Sequence, residues 1–232
     1  MINIRKSQER GTSRSDWLTS YHSFSFADYY DPLFMGFGHL RVINEDTIMP
    51  GGGFGKHPHR DMEIITYVID GALEHKDSLG TGSIIRPGEI QRMSAGKGVA
   101  HSEFNHSGNE KLHLLQIWIV PETTQLEPSY EQKVIAKTNN QLILIASGNP
   151  TSAAVRIHQD VSLSVGYFTK GNSLSHHLPQ GRCAWFQLIK GKITMNHHQL
   201  LPGDGAAIYN ESNIEMVCTA DAEFLFFDLL EL

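Results

Sequence analysis

Apolar positions along the chain come in short runs, some alternating with polar residues and some continuous, and most runs are bounded by Gly, Pro, Asn or Asp. Alternation with period two marks a half-buried strand, and a short continuous apolar run marks a strand covered on both faces. YHSFSF (21–26) and KLHLLQIWIV (111–120) are of the first kind, and IITYVID (64–70) is of the second. No stretch longer than a few residues carries a convincing i, i+3, i+4 apolar spacing. The pattern therefore predicts an all-β sandwich or barrel.

The pattern also repeats. QLIKGKITM (187–195) aligns with YVIDGALEH (67–75) by placing Gly191 under Gly71, and a shorter offset places Pro202 under Pro87. FLFFDLL (224–230) then stands where LLQIWIV (114–120) stood. Between the copies, PETTQLEPSYEQKVIAKTNN (121–140) is polar and proline-bearing, as a crossover would be. The expectation is two domains, 1–130 and 131–232, built from one duplicated β-unit.

Chemistry concentrates in the first copy, between Gly51 and Asn105. His57 and His59 are two apart, as are His101 and Glu103, and on a strand residues at that spacing share a face. Two strands can thus aim four donors at one point. Three imidazoles and a carboxylate suit a first-row divalent ion such as Fe, Mn, Co, Ni, Cu or Zn, and suit the oxygen-seeking Ca and Mg poorly. In the second copy His177 falls beneath His57, but Pro179 lies beneath His59 and Met216 beneath His101. The adjacent pairs His176–His177 and His197–His198 point to opposite faces of a regular strand, so no second metal site is expected. GGGFG (51–55) precedes no helical pattern, which excludes a phosphate-binding loop. His75, flanked by Glu74 and Lys76, reads as solvent-exposed. His113 reads as a core or supporting position, and His22 as a pocket, interface or core residue.

Composition narrows the partners. The chain has 232 residues, 40% apolar and 19% charged, with 19 basic against 25 acidic side chains and a formal charge of -6. No run of Lys and Arg offers the basic footprint of direct nucleic-acid binding. No apolar run approaches a membrane span, and the N-terminus lacks the apolar core of a signal peptide. Cys183 and Cys218, in apolar surroundings, read as buried thiols of a reducing compartment. The expected location is the cytoplasm.

The two donor segments fit G-x5-H-x-H-x3-E (Gly51, His57, His59, Glu63) and G-x2-H-x3-N (Gly98, His101, Asn105), the two signature motifs of the cupin superfamily. Seven residues separate Glu63 from Gly71 where that pattern has six, and Gly96 stands where it has proline. More closely, HPHRDME (57–63), the pair His101 and Glu103, HSFSFADYYDP (22–32) and MGFGHLRVINED (35–46) make the chain resemble the pirin family. That resemblance implies two tandem cupin (jelly-roll) β-barrels, a bicupin, with metal only in the first. It implies His57, His59, His101 and Glu103 as ligands, with Glu63 and Asn105 supporting them and Phe54, Met93 and Phe104 as apolar walls. The implied cofactor is one divalent transition-metal ion, Fe foremost. The implied activity is dioxygenation of a flavonol such as quercetin, with Glu103 taking the enol proton. Three imidazoles and a carboxylate with no cysteine also favour an open, catalytic site over a closed structural one. Two rival readings are a metal-dependent regulatory or redox-sensing protein that acts through a protein partner, and a cupin enzyme with another small substrate.

Overall fold

A computed structural model describes residues 1–150 and 154–231. In chain order the strands of the first half are β1 (Ile2–Arg5), β2 (Gly11–Arg14), β3 (Leu18–His22), β4 (Leu40–Ile48), β5 (Gly53–His59), β6 (Glu63–Asp70), β7 (Leu73–Asp77), β8 (Gly82–Ile85), β9 (Glu89–Ser94), β10 (Val99–Asn105) and β11 (Leu112–Ile119). There follow β12 (Ser129–Val134), β13 (Leu142–Ser147), β14 (Val155–Arg156), β15 (Val161–Phe168), β16 (Ser173–His177), β17 (Arg182–Met195), β18 (His198–Leu200), β19 (Gly205–Ile208) and β20 (Asn213–Leu230). Among the described residues the one helical element is a 3-10 turn, Ser7–Glu9. The all-β expectation holds.

The chain divides into two compact units. The metal-candidate unit comprises Gly11–Ile135 and Asn149–Gln159; the other comprises Met1–Arg10, Ala136–Gly148 and Asp160–Leu232. The former is a sandwich of a four-stranded sheet, β5-β10-β7-β8, and a seven-stranded sheet, β12-β9-β6-β11-β4-β3-β2. Strand β6 sits inside the larger sheet and is buried along its length up to Asp70, as its continuous apolar run predicts. Ile48, Val68, Leu73, Ile85, Leu112 and Leu114 form one apolar cluster, and Ile64, Met93, Ala95 and Val99 another.

The second unit orders its strands β1-β19-β17-β20-β15-β13, with β16 on β20 and β18 on β17. Here two strands run unusually long. β17 continues through Gly191 with a bulge there, its register against β20 shifting between Leu188 and Ile193, where the first unit breaks into β6 and β7 at Gly71, and β20 spans 18 residues. The core is rich in Phe and Met: Phe168, Phe186, Phe224, Phe226, Met195 and Met216 are all buried in one cluster. Ile2 and Ile4 of the polar-looking N-terminus pack against it, because β1 pairs with β19. Cys183 and Cys218 are buried free thiols.

The two aligned glycines share a conformation. Gly71 has φ +82 and Gly191 φ +87, and in each case a side chain would strike the backbone of the facing strand, at Lys111–Leu112 and at Asp221–Ala222. Gly171 has nearly the same φ, +88, but open space around it. Replacing a left-handed glycine by alanine costs about 1–2 kcal/mol from sterics within the residue, and overlap with a neighbouring strand adds to that. Chemical denaturation should therefore show Gly191→Ala losing clearly more stability than Gly171→Ala, which should lose only the intrinsic amount. Equal losses would mean that strand β20 yields at the bulge.

Candidate metal centre

The smaller sheet builds the centre. On β5, alternation turns His57 and His59 to one face while Lys56 and Pro58 are exposed on the other. On β10 the same rule buries His101 and Glu103 and leaves Phe104 exposed. The strands pair antiparallel with His101 opposite His57 and Val99 opposite His59. A register shift then sets Glu103 opposite Phe54, so β5 bulges at Gly55–Lys56. The bulge turns the Gly55 carbonyl toward its own strand's histidine, and His57 Nδ1 donates to it at 2.7 Å. That bond fixes the hydrogen on Nδ1 and leaves Nε2 of His57 as a bare lone pair.

The three imidazoles converge. Ring centroids are 4.5 Å apart for His57–His101 and 4.8 Å for both His57–His59 and His59–His101. Their donor atoms form one trio within 4.8 Å of one another, and His101 and Glu103 form a second such trio with His75. Among the described residues both trios lie in the first unit. Glu103 Oε2 accepts from Gln116 Nε2 at 2.9 Å, across the sandwich on β11.

Two buried atoms in the cluster have no hydrogen-bond partner, His101 Nε2 and Glu103 Oε1. Orphaned buried polar atoms carry a desolvation cost of about 1–3 kcal/mol each. Burial, followed by repulsion from the neighbouring histidines, pushes His101 down to about 2, and burial and His57 push His59 down to about 4. These imidazoles stay neutral and keep their lone pairs, the form that ligates metal. Burial and the nearby Asp46 push Glu103 up to about 8, against the hydrogen bond from Gln116. A divalent cation would satisfy the orphaned nitrogen and oxygen and offset the cost of the buried carboxylate, so the donor set fits one.

Beside the cluster lies a cavity of about 350 Å³. His57, His59 and Glu103 form part of its wall, with Phe26, Phe54 and Trp118 as aromatic surfaces. Trp118 stands edge-on to His59 at 5.0 Å and to Phe26 at 5.4 Å. At its polar end are Ser13, Ser20, His22, Asn44 and Asp46. His22 is buried there, with Nδ1 donating to Asn44 Oδ1 at 2.8 Å and Nε2 accepting from Ser13 Oγ at 2.8 Å.

Some residues expected near the site have other duties. Glu63 is buried on β6, where Ser94 Oγ donates to it at 2.9 Å and His158 Nδ1 lies at 3.2 Å. Asn105 ties a turn together through the carbonyls of Ile48 and Glu110. Phe54 lines the cavity, but Met93 is packed in the Ile64 cluster and Phe104 is exposed. His113 bonds Glu45 at the half-exposed outer side of β11. The main correction concerns His75, read as solvent-exposed: it is fully buried, with Nε2 at 3.0 Å from Asp77 Oδ2 and Nδ1 at 3.4 Å from His101 Nδ1. The signal was present in H-x-D at i and i+2, since the charged neighbours of His75 occupy the opposite face of the strand.

Comparison with known proteins agrees with this architecture. Residues 3–119 match the family described as Pirin, and residues 144–229 match the quercetinase C-terminal cupin domain. The chain is 46% identical, over 99% of both chains, to a protein of Escherichia coli strain K12 named quercetin 2,3-dioxygenase. It is 38% identical to a putative quercetin 2,3-dioxygenase of Pseudomonas aeruginosa, over 99% of this chain and 100% of the relative. The crystal structure of the Escherichia coli bacterial pirin YhhW in complex with nickel(II) superposes with a TM-score of 0.96 at 45% identity, over 100% of both chains.

Asp46 provides a pH test of the cavity floor. Burial raises its carboxyl from 3.8 to about 6. A carboxyl that holds its proton more tightly when folded adds no penalty below its unfolded pKa. The penalty grows as pH rises through the interval and is complete above the folded pKa. Relative to Asp46→Asn, the metal-free wild type should thus lose stability between pH 4 and pH 6–7, by an amount on the order of 3 kcal/mol at 1.36 kcal/mol per pKa unit, while the opposite slope from the depressed His59 and His101 is common to both proteins. In Asp46→Asn that part of the slope should vanish. Urea denaturation of both proteins across this range is the measurement.

Proposed function

The chain belongs to the pirin family, and on that footing we propose that it is a metal-dependent dioxygenase whose substrate is a flavonol such as quercetin. The proposed ligands of one divalent transition-metal ion are His57, His59, His101 and Glu103. The observation that carries this reading is a cluster of three imidazoles and a buried carboxylate of which His57, His59 and Glu103 face a cavity whose aromatic surfaces are Phe26, Phe54 and Trp118. Support also comes from the relatives named quercetin 2,3-dioxygenase and from the nickel(II) complex of a bacterial pirin. When bound, the ion supplies Lewis acidity to the deprotonated enol oxygen of the flavonol and, where it is iron or a comparable ion, organises dioxygen.

The side chains have separable tasks. Glu103 would accept the enol proton at Oε1, loosening from the ion as it does so, while Gln116 holds Oε2 and keeps the carboxylate aimed. Phe26, Phe54 and Trp118 offer flat apolar faces to a planar polycyclic substrate. Ser13, Ser20, His22 and Asn44 form the polar end, where phenolic hydroxyls find partners. Water leaves the cavity when such a substrate enters, which strengthens the electrostatic interactions within it.

Oxygen uptake by metal-reconstituted protein mixed with quercetin under air is the direct test. The wild-type protein should consume oxygen in proportion to flavonol lost, and His101→Ala should lose both tight metal and turnover. Glu103→Gln, compared at matched metal content, should lower kcat by about 10²–10⁴-fold, the usual contribution of a general base. Turnover retained in reconstituted His101→Ala would overturn the mechanism. Metal binding with no flavonol-dependent oxygen uptake would move the function to metal-dependent sensing.

A further inference from the structure

His75 and Asp77 take no part in the ligand set, yet they stand directly behind it. Strand β7 pairs with β10 so that Asp77 lies opposite His101 and His75 opposite Glu103. The Asp77 side chain is anchored by the turn that follows, since its Oδ1 accepts from the backbone amides of Leu79 at 2.9 Å and Thr81 at 3.0 Å. Only Oδ2 is left to face His75 Nε2, at 3.0 Å. The His75 ring is held from its face by Tyr130, centroid to centroid 5.1 Å, and the Tyr130 hydroxyl is itself bonded to Ser83 and Gln132.

The hydrogens along this line follow from the donor inventory. An ionised carboxylate only accepts, so Nε2 of His75 carries a hydrogen and its Nδ1 is bare. That bare Nδ1 lies 3.4 Å from His101 Nδ1, at the long end of hydrogen-bonding range. Two bare nitrogens would repel, so the hydrogen of His101 belongs on Nδ1. Its Nε2 is then the lone pair, and Nε2 is the buried atom without a partner. A neutral His75 ring has a single hydrogen to place, and Oδ2 of Asp77 claims it.

We propose that Asp77 and His75 form a hydrogen-ordered chain that fixes the tautomer and ring orientation of His101, so that its Nε2 is presented to the metal. This rests on the ligand assignment made above, and it makes His75 and Asp77 positioning residues. His75 joins His101 and Glu103 in a compact trio, but both its nitrogens are committed, one to Asp77 and one to His101, so it orients a ligand and is not one itself. His57 is oriented by a simpler version of the same device, the Gly55 carbonyl on its Nδ1. Metal-bound histidines generally give their second nitrogen to such a partner, and loss of that partner typically weakens metal binding about 10–100-fold.

Asp77→Asn tests the chain because the new amide keeps the carbonyl that caps the turn and presents an N–H to His75. His75 would reverse to the Nδ1–H form and set two hydrogens face to face, unless His101 reverses as well and covers Nε2. Long-range ¹H–¹⁵N spectra of the metal-free protein, assigned with single histidine substitutions, should show His101 as Nδ1–H and His75 as Nε2–H in the wild type. Both should reverse in Asp77→Asn, and zinc affinity, measured by competition with a chromophoric chelator, should fall about 10–100-fold. A wild-type spectrum with His101 as Nε2–H overturns the proposal, as do unchanged tautomers in the variant whatever its zinc affinity. The wild-type tautomers decide the matter if the variant does not fold. A wild-type protein that takes up no zinc would sink the ligand assignment, while the chain is still judged on its tautomers.

Discussion

Removing ionisable side chains from water inside a β-sandwich is costly, and the first unit concentrates that cost at one spot. His101, Glu103, His75 and Asp46 are all buried within a few strands of one another. Each such group needs a partner or must give up its charge. The structure answers with neutral imidazoles, a glutamine from the facing sheet, a backbone carbonyl released by a bulge and a carboxylate anchored in a turn. Among these groups Asp46 Oδ1 stays without a partner, as do His101 Nε2 and Glu103 Oε1 in the donor cluster itself. A cluster of imidazoles around a buried carboxylate that leaves one nitrogen and one oxygen bare is organised for a cation.

The second unit shows what the same pattern becomes without that demand. Met216, which aligns beneath His101, is buried in a cluster with Met195 and four phenylalanines. Gly166 makes room for one of them, since a side chain there would run into the ring of Phe224. Strand β17 stays paired with β20 on both sides of Gly191, from Arg182–Leu230 to Met195–Met216, with its register shifted between Leu188 and Ile193. Apolar side chains need no orienting partners, so the bulge at Gly191 aims no donor, unlike the one at Gly55–Lys56. Duplicated patterning thus yields a chemical centre in one place and a packed core in the other.

Much of this was legible in the sequence, for reasons that are local. Alternation put His57 with His59 and His101 with Glu103 on shared faces, and the apolar run of β6 announced a covered strand. The glycine alignment was legible because Gly71 and Gly191 each need a left-handed backbone pressed against a neighbour. Non-local pairing was not legible. Nothing in MINIRKS announces that Ile2–Arg5 pairs with Gly205–Ile208, and nothing around Glu63 announces its contact with His158, 95 residues away. His75 misleads for a different reason: Glu74 and Lys76 look like its environment, although on a strand they face the other way.

The centre also divides its labour between two sheets. Metal-candidate donors come from β5 and β10 of the smaller sheet, whereas Trp118, Gln116, Asn44, Asp46, Ser20 and His22 come from β11, β4 and β3 of the larger one. Donors fixed to paired strands are held more rigidly than donors on loops. The cavity wall adds Phe26 and Ala27 from the connection between β3 and β4, where Ala27 adopts φ +50. Substitutions in the larger sheet or in that connection reshape the cavity without moving β5 against β10. The donor geometry and, apart from Phe54 of β5, the aromatic and polar wall of the cavity are therefore set by different hydrogen-bonded ladders, and the carboxylate of Glu103, bonded through Gln116, is where the two meet.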